Sequence, residues 1–260
     1  MTNFELDAHI YDLMVDWEKR IKNERPFFQE IFGDIGNKAI LDVACGTGKH
    51  ALEFAQQGHL VTGVDFDQEM VEIAQKHMNS LNQEIQKNLE FQRASFEDLV
   101  TDSSIIPGPF DFIVCIGNSL SLLLTKNALT EVLTAFYNRL KQNGQLTIQI
   151  VNYQSKSIVT HWTGPLLERS DSLGRKIYFM KLFDRLDADN LKMTVAAIHR
   201  FSEDKWTATF AENNLRIFKA VDLEDELGKA GYSDYVIFGD YQRTRFNPED
   251  SSDIVIVAQK

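Results

Sequence analysis

At 260 residues, 43% hydrophobic and 25% charged, the chain has the composition of an ordinary folded protein with enough mass for a substantial core. A formal net charge of −11 argues against a nucleic-acid partner, because such affinity rests largely on lysines and arginines neutralising phosphates. No apolar run is long enough to span a bilayer, the first residues carry acids rather than a basic leader, and Cys45 and Cys115 are too few for a disulfide framework. A cytoplasmic protein with no membrane partner is therefore expected.

Two helical patterns come first, Ala8 to Trp17 and Glu24 to Phe32, with Pro26 suited to a first helical turn. A strand over Ala39 to Ala44 leads into a helix from about His50 to Gln57, which Gly58 stops. A second strand, Leu60 to Val64, precedes a helix from about Gln68 to Asn79, and Leu89 to Gln92 is a short third strand. The nearly unbroken apolar run from Phe110 to Ile116 predicts a central parallel strand buried on both faces. A helix from about Ala128 to Leu140 then meets a predicted turn, Lys141 to Gly144, before a strand from Leu146 to Val151. Beyond it the rhythm changes. Arg175 to Leu186, Leu191 to Phe201 and Trp206 to Phe218 read as long strands joined at Asp187 to Asn190 and at Ser202 to Lys205, an antiparallel insertion. A helix, Val221 to Ala230, capped by Gly231, and strands Tyr235 to Gly239 and Ile254 to Ala258 follow. The expected fold is α/β: a doubly wound, mostly parallel seven-stranded sheet, Rossmann-like, made of residues 1–152 and 220–260, with residues 153–219 as an antiparallel β insertion covering the sheet's C-terminal edge.

The most informative stretch is Ile40-Leu41-Asp42-Val43-Ala44-Cys45-Gly46-Thr47-Gly48, followed by Val61-Thr62-Gly63-Val64-Asp65. Glycines at 46 and 48 permit positive φ and let a ligand lie against bare amides at a helix start. Asp65, at the end of the next strand, is placed to accept both hydroxyls of a ribose. Two cofactor classes use this device. Gly46-Thr47-Gly48-Lys49-His50-Ala51 fits a nicotinamide pattern with alanine in the last position, which keeps an NAD-dependent oxidoreductase as an alternative.

Asp42 to Gly48 resembles the first motif of class I S-adenosylmethionine (SAM) dependent methyltransferases, a resemblance that extends over most of residues 8–151 and over the terminal helix-strand-strand piece. It implies SAM as cofactor, with S-adenosylhomocysteine as product, and an antiparallel last strand. The implied cofactor contacts are Ala44, Gly46 and Gly48 in the loop, Asp65 on the ribose, Phe66 and Met70 flanking the adenine, Ser95 and Phe96 after the third strand, and Cys115 and Ile116 beside the reactive methyl. Met70 has core packing as its alternative role, and Phe96 either role. A narrower resemblance, carried by Ile116-Gly117-Asn118-Ser119-Leu120 and Val151-Asn152-Tyr153, is to glycine and sarcosine N-methyltransferases and their small-molecule relatives. It implies Asn118 in the acceptor pocket and Arg20 on the methionine carboxylate of SAM.

The chain departs from that narrower pattern at Val151, where those enzymes carry an arginine that grips the substrate carboxylate. An apolar side chain makes no such pair, so either Arg169, Arg175, Arg243 or Arg245 supplies it, or the acceptor is not an amino acid. Transfer from a sulfonium to an amine needs alignment and exclusion of water more than acid or base residues. Asn118, Tyr11 and Tyr153 are the candidate catalytic groups, with His161 a further polar candidate. His9, His50, His59, His77, His161 and His199 are scattered and neither cysteine has ligand spacing, so no metal is expected. The expected protein is thus an enzyme acting on a small-molecule acceptor, compatible with a homo-oligomer. A glycine/sarcosine N-methyltransferase and a non-catalytic SAM-binding protein remain alternatives.

Overall fold

A computed structural model describes residues 8–33, 36–156, 160–171, 173–200 and 205–260. The chain opens with α1 (Ala8–Met14) and α2 (Trp17–Phe32). It continues through β1 (Ala39–Val43), α3 (Lys49–Gln56), β2 (Leu60–Asp65), α4 (Gln68–Asn79), α5 (Gln83–Gln86), β3 (Leu89–Arg93) and α6 (Phe96–Thr101). Next come β4 (Phe110–Cys115), a 3-10 turn (Ser119–Leu122), α7 (Lys126–Arg139), β5 (Leu140–Val151) and a second 3-10 turn (Tyr153–Lys156). The strands β6 (His161–Thr163), β7 (Leu167–Ser170), β8 (Lys176–Arg185), β9 (Asn190–Arg200) and β10 (Trp206–Arg216) form a separate run, and α8 (Ala220–Ala230), β11 (Asp234–Phe238) and β12 (Asp253–Gln259) follow.

The main sheet runs β3-β2-β1-β4-β5-β12-β11, with only β12 antiparallel to its neighbours. Its centre is mostly apolar where helices cover both faces: Ile40, Leu41, Ile113, Val114, Ile148, Ile254 and Ile256 are all buried. One face packs under Phe28 and Phe32 of α2 and Phe54 of α3. The other packs under Leu129 and Phe136 of α7 and Leu223 and Leu227 of α8. The order reverses beside β1 and β4, and the crevice at such a reversal, past the carboxyl ends of the strands, is where these sheets bind ligands. Among the described residues no helix is long and apolar enough to cross a membrane.

The second sheet runs β10-β9-β8-β6, with β7 also on β8, entirely antiparallel. Strand alternation gives it one apolar face, including Ile177, Phe179, Val195, Ala197 and Leu215, and one open face on which Trp206 and Phe210 are exposed. The apolar face meets Met14 of α1 at one end and Tyr153 at the other, while β10 lies against the Ser119–Leu122 turn. This roof sheet thus turns its apolar face toward α1, Tyr153 and the Ser119–Leu122 turn.

Three local expectations change. The first helix ends at Met14 rather than Trp17, and the second begins at Trp17 because the Asp16 carboxylate caps it, accepting a bond from the Lys19 amide at 3.2 Å. Pro26 consequently lies inside α2 and not in its first turn. Lys141 to Gly144 is no turn but the start of β5, where Asn143 (φ +63°) bulges the strand. Its amide donates to Lys260 at 3.1 Å, and the Lys260 amide donates to Gly144 at 3.0 Å, so long-range pairing overrides the local turn signal. Of the hairpin expected at Ser202 to Lys205, residues 202–204 lie outside the described residues.

Candidate cofactor and acceptor site

Two turns with left-handed backbone stand side by side at the ends of β1 and β4. In the first, Ala44 (φ +57°), Gly46 (+55°) and Gly48 (+78°) fold the chain tightly into α3. In the second, Gly117 (+79°) and Asn118 (+71°) lead into the 3-10 turn. A Cβ at Gly46 would meet only the Tyr11 ring, 3.8 Å away, and one at Gly117 only the Arg20 guanidinium, also 3.8 Å away. Both bare backbones thus face one space, which Tyr11 and Arg20 overhang. Gly48 differs: a Cβ there would lie 2.7 Å from Phe91 and 2.9 Å from Ala74, so its role is packing beneath the loop.

Asp65 closes the cradle from β2. One carboxylate oxygen accepts the Gly46 amide at 2.8 Å and the other the Asp67 amide at 3.0 Å. Each oxygen keeps a lone pair. Beneath, Asp42 is buried with Oδ2 unpartnered, and burial together with the Asp65 charge pushes its carboxyl up to about 7. Bare amides beside unfilled Asp65 lone pairs fit a ligand bearing hydroxyls and a carboxylate, which SAM carries.

The N-terminal helices supply the cover. Asp12 of α1 is a hub: its carboxylate accepts the Trp17 indole N–H at 3.1 Å and the Thr47 hydroxyl at 2.5 Å, with Lys49 and His77 each 3.5 Å away. Arg20 of α2 donates from Nε to Glu24 at 2.9 Å, and the other Glu24 oxygen accepts His50 Nε2 at 2.6 Å. Burial raises the Glu24 carboxyl, but the His50 hydrogen bond and the Arg20 charge outweigh it and hold it below its usual range. Burial holds His50 below the usual imidazole range, so it is the neutral ring that donates to the carboxylate. The result fixes the Arg20 fork over Gly117.

On the other side of Gly117, Asn118 brackets two strand ends. Its amide oxygen accepts the Val151 amide at 2.9 Å and the Ser121 hydroxyl at 3.0 Å, and its nitrogen donates to the Tyr153 hydroxyl at 3.3 Å. Burial raises the Tyr153 phenol, so it remains protonated. Gln149 accepts the Gly117 amide at 2.8 Å and donates to Asp253 at 2.6 Å, tying the turn to β12.

The sequence-derived residues do not all meet at the two turns. Tyr11, Arg20, Ala44, Gly46 and Asp65 lie at the two turns, and Tyr153 joins them through its bond from Asn118. Phe66 is 47% exposed at the rim, while Met70 is buried against Ile73 and Tyr11. Cys115 and Ile116 reach the site by backbone alone, since their side chains are buried in opposite core layers. The Ser95 hydroxyl is spent on capping α6 through Asp98, and Phe96 packs toward Phe136. His161 is away from the pocket, exposed on β6 and bonded to Asp184 at 2.7 Å. Of the four arginines considered for an acceptor carboxylate, Arg169 lies on the inner face of the second sheet opposite Ile177, and the other three are turned elsewhere. Arg169 donates to the Glu168 carbonyl at 3.0 Å, Arg175 pairs with Asp171, Arg243 pairs with Glu30, and Arg245 is exposed in a bridge with Phe238. Asp12, Glu24, His50 and Gln149 escaped sequence reasoning, because no local spacing links them to the loop they serve.

A family model described as a methyltransferase domain matches residues 40–144. A glycine/sarcosine N-methyltransferase of Parasynechococcus marenigrum (strain WH8102) is 32% identical over 143 residues, 55% of this chain and 48% of the relative. The match therefore spans about half the length of that relative. A glycine/sarcosine N-methyltransferase of Aphanothece halophytica is 24% identical over 254 residues, 96% of this chain and 86% of the relative. Among solved structures, an S-adenosylmethionine-dependent methyltransferase from Clostridium acetobutylicum ATCC 824 superposes with a TM-score of 0.73 at 22% identity, covering 97% of this chain and 96% of that one. Residues 40–144 thus match a methyltransferase domain, and the whole chain has the fold of SAM-dependent methyltransferases. The cofactor class is thereby SAM, and the nicotinamide alternative falls away.

Proposed function

We propose that the protein transfers the methyl group of SAM to an amine nitrogen of a small molecule held under the roof sheet. The observation that carries this reading is the meeting of two bare turns, Ala44–Gly48 and Gly117–Asn118, beneath Tyr11 and Arg20. SAM supplies the activated methyl on a cationic sulfur. Asp65 accepts the ribose hydroxyls, Arg20 pairs with the methionine carboxylate, Ala44 and Gly46 offer backbone, and Phe66 and Met70 border the adenine with Ser95 and Phe96 beyond.

Catalysis rests on alignment and dryness. The Asn118 amide oxygen already holds two donors, so this residue positions and the Tyr153 hydroxyl does the orienting, through its free lone pair. Tyr11 closes the opposite side. The names of the relatives favour amine acceptors, including glycine and sarcosine, whereas Val151 argues against gripping an amino acid as those enzymes do. Residues 153–219 serve as the lid of the acceptor site, and polar substitutions on its inner face are expected to alter acceptor turnover with SAM affinity retained.

Mass spectrometry of a small-metabolite panel incubated with the protein and deuterium-labelled SAM tests the reading. Labelled amine together with S-adenosylhomocysteine is the expected result. SAM binding without turnover of any acceptor would leave a SAM-binding protein and refute the enzyme.

A further inference from the structure

Inward positions on β8 alternate as Ile177, Phe179, Lys181 and Phe183, three buried apolar side chains and one cation. The neighbours fix where that cation points. Phe179 packs in the cluster of Met14 and Tyr11, and Phe183 packs with Tyr153 and Trp162. Lys181 is set between them, on the part of the roof that spans from the cofactor cover to the acceptor tyrosine. Its ammonium is held below the usual lysine range first by burial and then by the positive charge of Arg20. Outward-facing lysines of the same sheet behave differently, Lys176 pairing with Glu168 and Lys192 with Glu212. Lys181 thus has no ion-pair partner among the described residues.

A cation on an apolar face without a counter-ion is costly, and an anionic ligand removes the cost. We propose that Lys181 receives a negatively charged group of the methyl acceptor, a carboxylate or a phosphate, so that the acceptor is an amine that also carries an anion. The proposal rests on the methyl-transfer reading and names its substrate class. It moves the anion grip from the sheet end, where Val151 offers none, to the roof.

The test compares wild type, Lys181→Met and Lys181→Arg on matched acceptor pairs, with SAM affinity measured separately by titration calorimetry. Glycine against glycinamide probes a carboxylate, and glucosamine 6-phosphate against glucosamine probes a phosphate. Wild type is expected to prefer the charged member of one pair. In Lys181→Met that preference, as a ratio of kcat/KM values, falls roughly 10- to 100-fold, mainly through KM, as expected for losing a charge-assisted contact. SAM affinity stays within about twofold, and Lys181→Arg recovers part of the preference. A preference unchanged in Lys181→Met, or a wild type that binds SAM yet favours neither charged member, overturns the assignment. A fall in SAM affinity with acceptor KM intact also overturns it, placing Lys181 on the cofactor. If wild type does not bind SAM, the methyl-transfer reading itself fails, and the proposal with it.

Discussion

A methyl group added at Gly48 would lie 2.7 Å from the Phe91 ring and 2.9 Å from the Ala74 side chain, at a residue whose φ is +78°. The ring has no room to retreat, because a Cβ at Gly63 would approach it to 2.6 Å from another side. Left-handed backbone costs a non-glycine residue about 1–2 kcal/mol, and overpacking of a core adds about 1–3 kcal/mol. Gly48→Ala should therefore lose about 2–5 kcal/mol, which for a chain of this size lowers Tm by about 5–15 °C. Gly46→Ala shares the backbone cost but meets only the Tyr11 ring at 3.8 Å, an ordinary contact, so its Tm should fall by a few degrees at most. Its methyl projects into the ligand space instead, and SAM affinity is the property it should lose. Differential scanning calorimetry and SAM titration on both variants separate the roles. Equal melting losses, or a Gly46→Ala protein with wild-type SAM affinity, would refute the division between packing and binding.

Three further outcomes are expected. Asp65→Ala should weaken SAM binding by roughly 10- to 100-fold in a folded protein, the loss typical of charge-assisted bonds; unchanged affinity by calorimetry would remove Asp65 from the ribose. Asp42 has a folded pKa raised to about 7, so the native state binds its proton more tightly than the unfolded state and stability falls as pH rises through the interval between the two values. The Tm advantage of Asp42→Asn over wild type should accordingly grow from about pH 4 to about pH 7 and then level off, and a gap independent of pH would contradict the burial argument. Cys45 and Cys115 are free and buried, with burial the first cause raising both thiols, so a thiol reagent should count two groups after denaturation and almost none before.

The sequence carried the parallel half of the fold clearly, since each strand there is a short apolar run and each helix an amphipathic one. The helix Gln68 to Asn79 has its expected ends because the Asp67 cap is local. Lys141 to Gly144 misleads for the opposite reason: its turn chemistry is local, while the pairing with Lys260 that decides its conformation comes from the far end of the chain. The glycine loop and Asp65 were legible as a cradle, but the separate duties of Gly46 and Gly48 depend on Phe91, a residue whose position spacing does not reveal. Arg20 was found only by family likeness, and the Glu24 and His50 that hold it had no signal. Lys181 did have one: a lysine in phase with Ile177, Phe179 and Phe183 breaks an apolar alternation.

The bond from the Trp17 indole to Asp12 has a spectroscopic consequence. Trp17 also lies edge-on to His50, 5.7 Å away, and beneath the Arg20 guanidinium at 5.4 Å, so its emission reports on the hub that holds α1 to the glycine loop. Trp162 is stacked on Phe183 at 5.0 Å and stands 6.4 Å from Tyr153, which makes it sensitive to the proposed acceptor side. Trp206, the remaining indole, lies 49% exposed on the open face of the roof. The molecule is thus labelled twice by its own sequence, and variants keeping one indole at a time would let cofactor entry and acceptor entry be followed as separate optical events in one protein.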